Sequence, residues 1–129
     1  MREIKFRSKR LDNGEWVYGD LIHTNQGTLI ISRLSANGYK IKIDEAYDVE
    51  SNTVSQFTGL QDKNGKDIYE GDILFNPFFG DYWQVIFKDG AFIAQLLPIE
   101  KDCIEDLSVI NASFDKAGNV FDNPELKEG

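Results

Sequence analysis

Apolar and polar side chains alternate along most of the first 97 residues. The alternation is cut into short segments by asparagine–glycine and aspartate–glycine pairs. A period of two is the mark of a strand with one covered face, whereas a helix repeats at 3.6. Ile4 and Phe6 alternate with Glu3, Lys5 and Arg7, predicting a half-buried first strand with the two apolar residues inward. Asn13-Gly14 predicts a tight turn, since both residues accept positive φ. Glu15 to Ile22 then reads as a strand, Asn25-Gln26-Gly27 as a turn, and Thr28 to Ile31 as another strand. Asn37-Gly38 predicts a hairpin leading into Tyr39, Ile41 and Ile43 on one shared face. Asp44 to Ser55 reads as an acidic connector with a short strand near Val49. Pro98 can open a short helix, with Ile99, Cys103, Ile104 and Leu107 on one side. Leu107 to Phe114 is expected to be a strand, and Ala117-Gly118-Asn119 a turn.

The order of signals recurs. Asn13-Gly14 before Val17-Tyr18-Gly19-Asp20 is answered by Asn64-Gly65 before Ile68-Tyr69-Glu70-Gly71-Asp72. The offset is 51 at the first glycine and 52 at the aspartate, and Asp89-Gly90 answers Asn37-Gly38, again 52 apart. The expected fold is mainly β, built as antiparallel SH3-like barrel or roll units. These would be two related copies packed together, with a short C-terminal helix. The boundary is placed between an N-terminal unit, 1–55, and a second unit with a C-terminal extension, 56–129.

Charge changes the picture in one respect. The net charge is −8, but residues 1–43 carry +4 and residues 44–129 carry −12. An acidic body argues against a general nucleic-acid binder, because phosphate contacts need clustered cations. The exception is the run Arg2, Lys5, Arg7, Lys9 and Arg10. It reads as the solvated face of the first strand or as a contact for phosphate or an acidic surface. The alternative use of the −12 region is mimicry of DNA against a nucleic-acid-binding protein.

A length of 129 residues with 41% hydrophobic content supports a real core. One cysteine, Cys103, leaves no internal disulfide, and no apolar run approaches a membrane span or a signal-peptide core. These features suggest a reducing cytoplasm.

No catalytic, cofactor or metal set emerges. His23, the single histidine, falls in an expected loop without a nucleophile at motif spacing. Cys103 lies among Asp102, Glu105 and Asp106, which disfavour a thiolate, and reads as a small core residue or a bystander. Asp62 to Asp67 has the composition of a calcium loop, but its glycine is fourth and its twelfth position is Ile73. A turn braced by Asp and Asn side chains accounts for it better. Asp20, Asp67, Glu70 and Asp72 read as acceptors for turn N–H groups rather than as an acid–base pair. The aromatic cluster Phe75, Phe78, Phe79, Tyr82 and Trp83 surrounds the loop Asn76-Pro77-Phe78-Phe79-Gly80. Phe78, Phe79, Tyr82 and Trp83 form either a partner-binding patch or a plug in one end of a barrel.

The stretch Gln56-Phe57-Thr58-Gly59-Leu60-Gln61-Asp62-Lys63-Asn64-Gly65-Lys66-Asp67-Ile68-Tyr69-Glu70-Gly71-Asp72-Ile73 resembles the signature of the YopX family. So do Met1 to Arg7, Trp16-Val17-Tyr18-Gly19 and Gly118 to Leu126. Ser8-Lys9-Arg10 departs from the usual aromatic-acidic opening. The resemblance implies a mainly-β, SH3-like roll encoded by phages and prophages of low-GC Gram-positive bacteria, and it brings no catalytic residue or cofactor with it. The function expected is a non-catalytic module that binds a protein partner or a second copy of itself. Direct nucleic-acid contact and DNA mimicry are the alternatives.

Overall fold

In the computed structural model, which describes residues 3–129, the chain is mainly β. It forms two antiparallel sheets and one short α-helix, and divides into two compact units, Met1–Gln56 and Phe57–Gly129. Arg2 of the basic run lies outside the described residues.

The first unit is a meander. Strands β1 (Phe6–Lys9), β2 (Trp16–Thr24), β3 (Gly27–Asn37) and β4 (Lys40–Val49) pair in chain order. The start of β5 (Ser55–Gln61) pairs with the other side of β1, through Phe6↔Gln56 and Arg7↔Ser55. One isolated bridge, Arg10↔Val49, ties the chain after β1 to the end of β4. Among the described residues neither sheet closes into a continuous barrel. The interior holds Ile30, Ile31 and Val49 together with Arg7, Ser8, Thr28, Thr53 and Ser55. Ser8 survives burial because its hydroxyl lies 2.8 Å from Thr53 Oγ1 and donates to the Glu50 carbonyl at 2.9 Å.

Several expectations are corrected here. Ile4 is exposed and precedes β1, while Arg7 is buried, so the first strand is not a cationic solvent face with Ile4 inward. The reason is that β1 has strands on both sides, and the Arg7 side chain lies over the Trp16 ring. The acidic connector is mostly strand: β4 runs unbroken to Val49, and a 3-10 turn covers Ser51–Thr53. His23 is on β2 opposite Thr28, not in a loop. Tyr39, Ile41 and Ile43 are all exposed, because β3 and β4 run on beyond the short stretch that the core covers.

The second unit contains β6 (Asp67–Tyr69), which pairs with the latter part of β5, and a five-stranded sheet. That sheet orders β10 (Ile104–Asp106), β9 (Ala91–Leu96), β8 (Asp81–Lys88), β7 (Asp72–Asn76) and β11 (Asp115–Asn119). Its core is Ile68, Leu74, Trp83, Val85, Ala94, Leu107, Ile110 and Phe114. Asp89 and Gly90 both take positive φ, 52° and 81°, as a two-residue hairpin loop twisted to match its strands requires. The hairpins at Asn37-Gly38 and Asp89-Gly90 join β3 to β4 and β8 to β9. The two Gly-Asp pairs are nonetheless used differently. Gly19 sits inside β2, where a Cβ would collide with the Ile31 carbonyl, and Gly71 precedes β7 in a turn.

The tail departs most from the pattern reading. Pro98 opens only a 3-10 turn, Ile99–Lys101, and Cys103 is exposed rather than core. Ile104–Asp106 is an edge strand, and the helix is α1 (Leu107–Ile110), one turn where a strand was expected. Its Leu107 and Ile110 are three apart and both face the core, a spacing that fits one helical turn. Ala117-Gly118-Asn119 belongs to β11, with a register shift between Lys116 and Gly118.

Candidate functional site

The loop between β7 and β8 is a built turn. Asn76, itself buried, accepts the Phe78 N–H on its Oδ1 at 2.9 Å and the Gly80 N–H on its carbonyl at 2.8 Å. Gly80 takes φ 72°, which a side chain would resist. Strand pairing at Asn76↔Asp81 and Phe75↔Tyr82 pins both ends. With the backbone so committed, Phe78 and Phe79 stand outward, 78% and 85% exposed. Tyr82 is half-buried, its ring centroid 5.2 Å from that of Phe75. Trp83 is a core residue: its ring lies 6.1 Å from Phe114, and its Nε1–H donates to Asp81 Oδ1 at 2.9 Å. Of the four expected patch residues, two form the surface, Tyr82 borders it, and Trp83 is corrected to a supporting role. Strand alternation decides this, because Trp83 and Val85 point to the covered side of β8.

The basic run is not assembled as a phosphate cradle. Arg7 is 2% exposed, with its guanidinium carbon 4.6 Å from the Trp16 ring centre, and Lys9 Nζ lies 5.4 Å from the same ring. Arg10 stacks 4.3 Å over Tyr47 and forks onto Asp12 with two hydrogen bonds, 2.9 and 2.6 Å. That fork raises the Arg10 pKa and lowers that of Asp12, each chiefly through the side-chain hydrogen bond. Lys5 lies 3.6 Å from Glu3. Cation–π stacking and pairing of this kind commit the charges to separate partners rather than to a common pocket.

The acidic turn is structural. Asp62 Oδ1 accepts the N–H groups of Asn64 and Lys66 at 2.8 and 2.9 Å, and Oδ2 accepts Lys116 N–H at 2.9 Å. Burial pushes this carboxyl up, but those three N–H groups and the Lys66 charge outweigh it and hold it below the usual range. Asp72, fully buried, accepts Tyr69 N–H at 2.7 Å and lies 3.2 Å from Lys116 Nζ. Lys116 was not singled out from sequence. Only contacts from residues about fifty positions away reveal it as the cation that bridges Asp72 and the Asp67 carbonyl. Among the described residues no group of three or more His, Cys, Asp or Glu side chains is placed to hold a metal ion. His23 Nδ1 lies 3.2 Å from Thr28 Oγ1. Among the described residues of the first unit, one surface groove runs along Arg10–Asp12 and Ala46–Asp48 and another along Gln26–Thr28 and Asp48–Asn52. Neither pairs a nucleophile with a base. Among the described residues no helix is long and apolar enough to cross a membrane.

Comparison with known proteins agrees with the fold. The chain is similar to a protein of known crystal structure, EF1440 from Enterococcus faecalis. The two share 26% identity over 99% of this chain and 100% of that one, with a TM-score of 0.73. No curated protein matches. The sequence model described as YopX protein matches residues 5–128, nearly the whole chain. The chain therefore belongs to the YopX family.

Proposed function

We propose that this chain is a non-catalytic accessory protein of phage or prophage origin, acting in the host cytoplasm as a protein-interaction module. Its contact is the Phe78–Phe79 turn. The observation that carries this reading is the pair of adjacent phenyl rings, 78% and 85% exposed, on a turn fixed by Asn76 and by strand pairing at both ends. Aromatic anchors dominate interface energies, and presenting them on a fixed backbone lowers the ordering cost of binding. The partner is a protein with an apolar groove. A nucleic acid fits less well, since Arg7 is buried and Arg10 is committed to Asp12 and Tyr47.

We also read the first unit as an SH3-like roll and the two units as related copies. The bridge Arg10↔Val49 supports the first point. The shared meander order of β2–β3–β4 and β7–β8–β9, each with a glycine hairpin between its last two strands, supports the second.

Affinity capture from a Gram-positive host lysate, with wild type and with Phe78→Ser/Phe79→Ser, tests the proposal. Loss of at least one partner from the double variant is expected. Identical partner sets would refute the role of the turn.

A further inference from the structure

The hairpin of β3 and β4 extends past the core. Leu34 lies opposite Ile43 and Ala36 opposite Ile41, so these four share one face of the ribbon. Ile41 is 74% and Ile43 53% exposed, and Tyr39 at the tip is fully exposed. β4 is the outermost strand of its sheet. At its far end the loop after β1 covers it, through Leu11 N–H to the Asp48 carbonyl and the Arg10↔Val49 bridge. Among the described residues no strand pairs with the outer side of Lys40–Asp44. That cover ends at Asp48, short of the apolar stripe at Ile41 and Ile43. A bare apolar edge of this kind is a template for another strand.

We propose that the occupant of this edge is β4 of a second copy of the chain, paired antiparallel through Lys40–Asp44 about a twofold axis. The sequence of the segment argues for a copy of itself. Lys40-Ile41-Lys42-Ile43-Asp44 laid antiparallel on itself places Lys40 opposite Asp44 of the partner at both ends. It also places Ile41 opposite Ile43 twice, with Lys42 at the axis. Within one copy Lys42 Nζ already lies 3.9 Å from Asp44, so the charges share the face opposite the isoleucines. The pairing thus joins two two-residue apolar stripes into one and sets two Lys40–Asp44 pairs across the new ladder, against one Lys42–Lys42 contact at the axis. A closed twofold contact also uses up both bare edges, which an open chain of copies would not. This surface is separate from the Phe78–Phe79 turn, and either can fail without the other.

The test is sedimentation equilibrium of the full chain at concentrations up to about 0.5 mM. The wild type is expected to show a monomer–dimer equilibrium in the micromolar-to-millimolar range, the weak end for specific interfaces. Asp44→Lys places like charges at both ends of the ladder and should weaken the dimer roughly tenfold. Lys40→Asp/Asp44→Lys restores the alternation in reverse and should recover it. Ile41→Lys/Ile43→Lys should leave monomer only. None of these residues belongs to the buried core, although the Asp44 side chain is itself largely covered, so the variants leave the core intact. A monomeric wild type at the highest concentration overturns the proposal. So does a dimer indifferent to Ile41→Lys/Ile43→Lys, or one that the double charge swap fails to restore.

Discussion

Replacing Asp62 with Asn isolates what a single carboxylate does for the second unit. The change keeps shape and hydrogen-bonding capacity at Oδ1, so the N–H groups of Asn64 and Lys66 keep an acceptor. At Oδ2 an NH2 replaces an oxygen and faces the Lys116 N–H, which then has a donor where its acceptor stood. The loss is one charge-assisted hydrogen bond plus an unsatisfied, largely buried donor, partly offset because the amide is easier to bury. About 2 kcal/mol of destabilisation follows. The pH dependence gives a second, sharper signature. The Asp62 carboxyl sits below its ordinary value in the folded chain. Its contribution is therefore fully present above the unfolded-state value and disappears as pH falls through the folded one. The gap between wild type and Asp62→Asn should be widest near neutral pH and shrink in acid, as pH falls through the lowered folded-state value. Urea unfolding at neutral and acid pH gives the gap, and amide exchange of Asn64, Lys66 and Lys116 locates it. A gap below about 0.5 kcal/mol at neutral pH, or one equally large in acid, would refute the reasoning.

Three further outcomes follow from the packing. Gly19→Ala should cost about 2–3 kcal/mol in thermal or urea unfolding, because the backbone is at φ 153° and the new Cβ meets the Ile31 carbonyl. Leu74→Ala empties a fully buried site in the core and should cost about 3–4 kcal/mol by the same measurement. Phe78→Ser/Phe79→Ser should leave stability within about 0.5 kcal/mol of wild type, since neither ring is packed. A large loss there would mean that the rings support the fold.

The hairpins were legible in the sequence because they are local. Asn13-Gly14, Asp89-Gly90 and the Asp62–Lys66 turn each depend on residues within a few positions, and positive φ or a side-chain acceptor leaves a compositional mark. Strand alternation at Ile41 and Ile43 was equally legible, but alternation reports only that a ribbon has two faces. Whether anything covers the apolar one depends on where the core ends. The tail is ambiguous in sequence for a related reason. Leu107 and Ile110 fit a strand or a helix when few residues are considered, and packing beside Val85, Ala94 and Phe114 decides for one helical turn. At the candidate site Pro77 and Gly80 mark the loop in the sequence but leave patch and plug equally open for Phe78 and Phe79, and the burial of Trp83 depends on Phe114, distant in sequence. The fate of the basic run was invisible for the same cause, since Tyr47, which stacks on Arg10, lies far along the chain.

The central claim is that the Phe78–Phe79 turn meets a protein partner. A photoactivatable benzophenone side chain placed at position 79 and irradiated in the host cell tests it most directly. The account predicts a discrete covalent adduct that is absent when the same group is placed at the exposed Lys127. No adduct from position 79, or the same adducts from both positions, would contradict it.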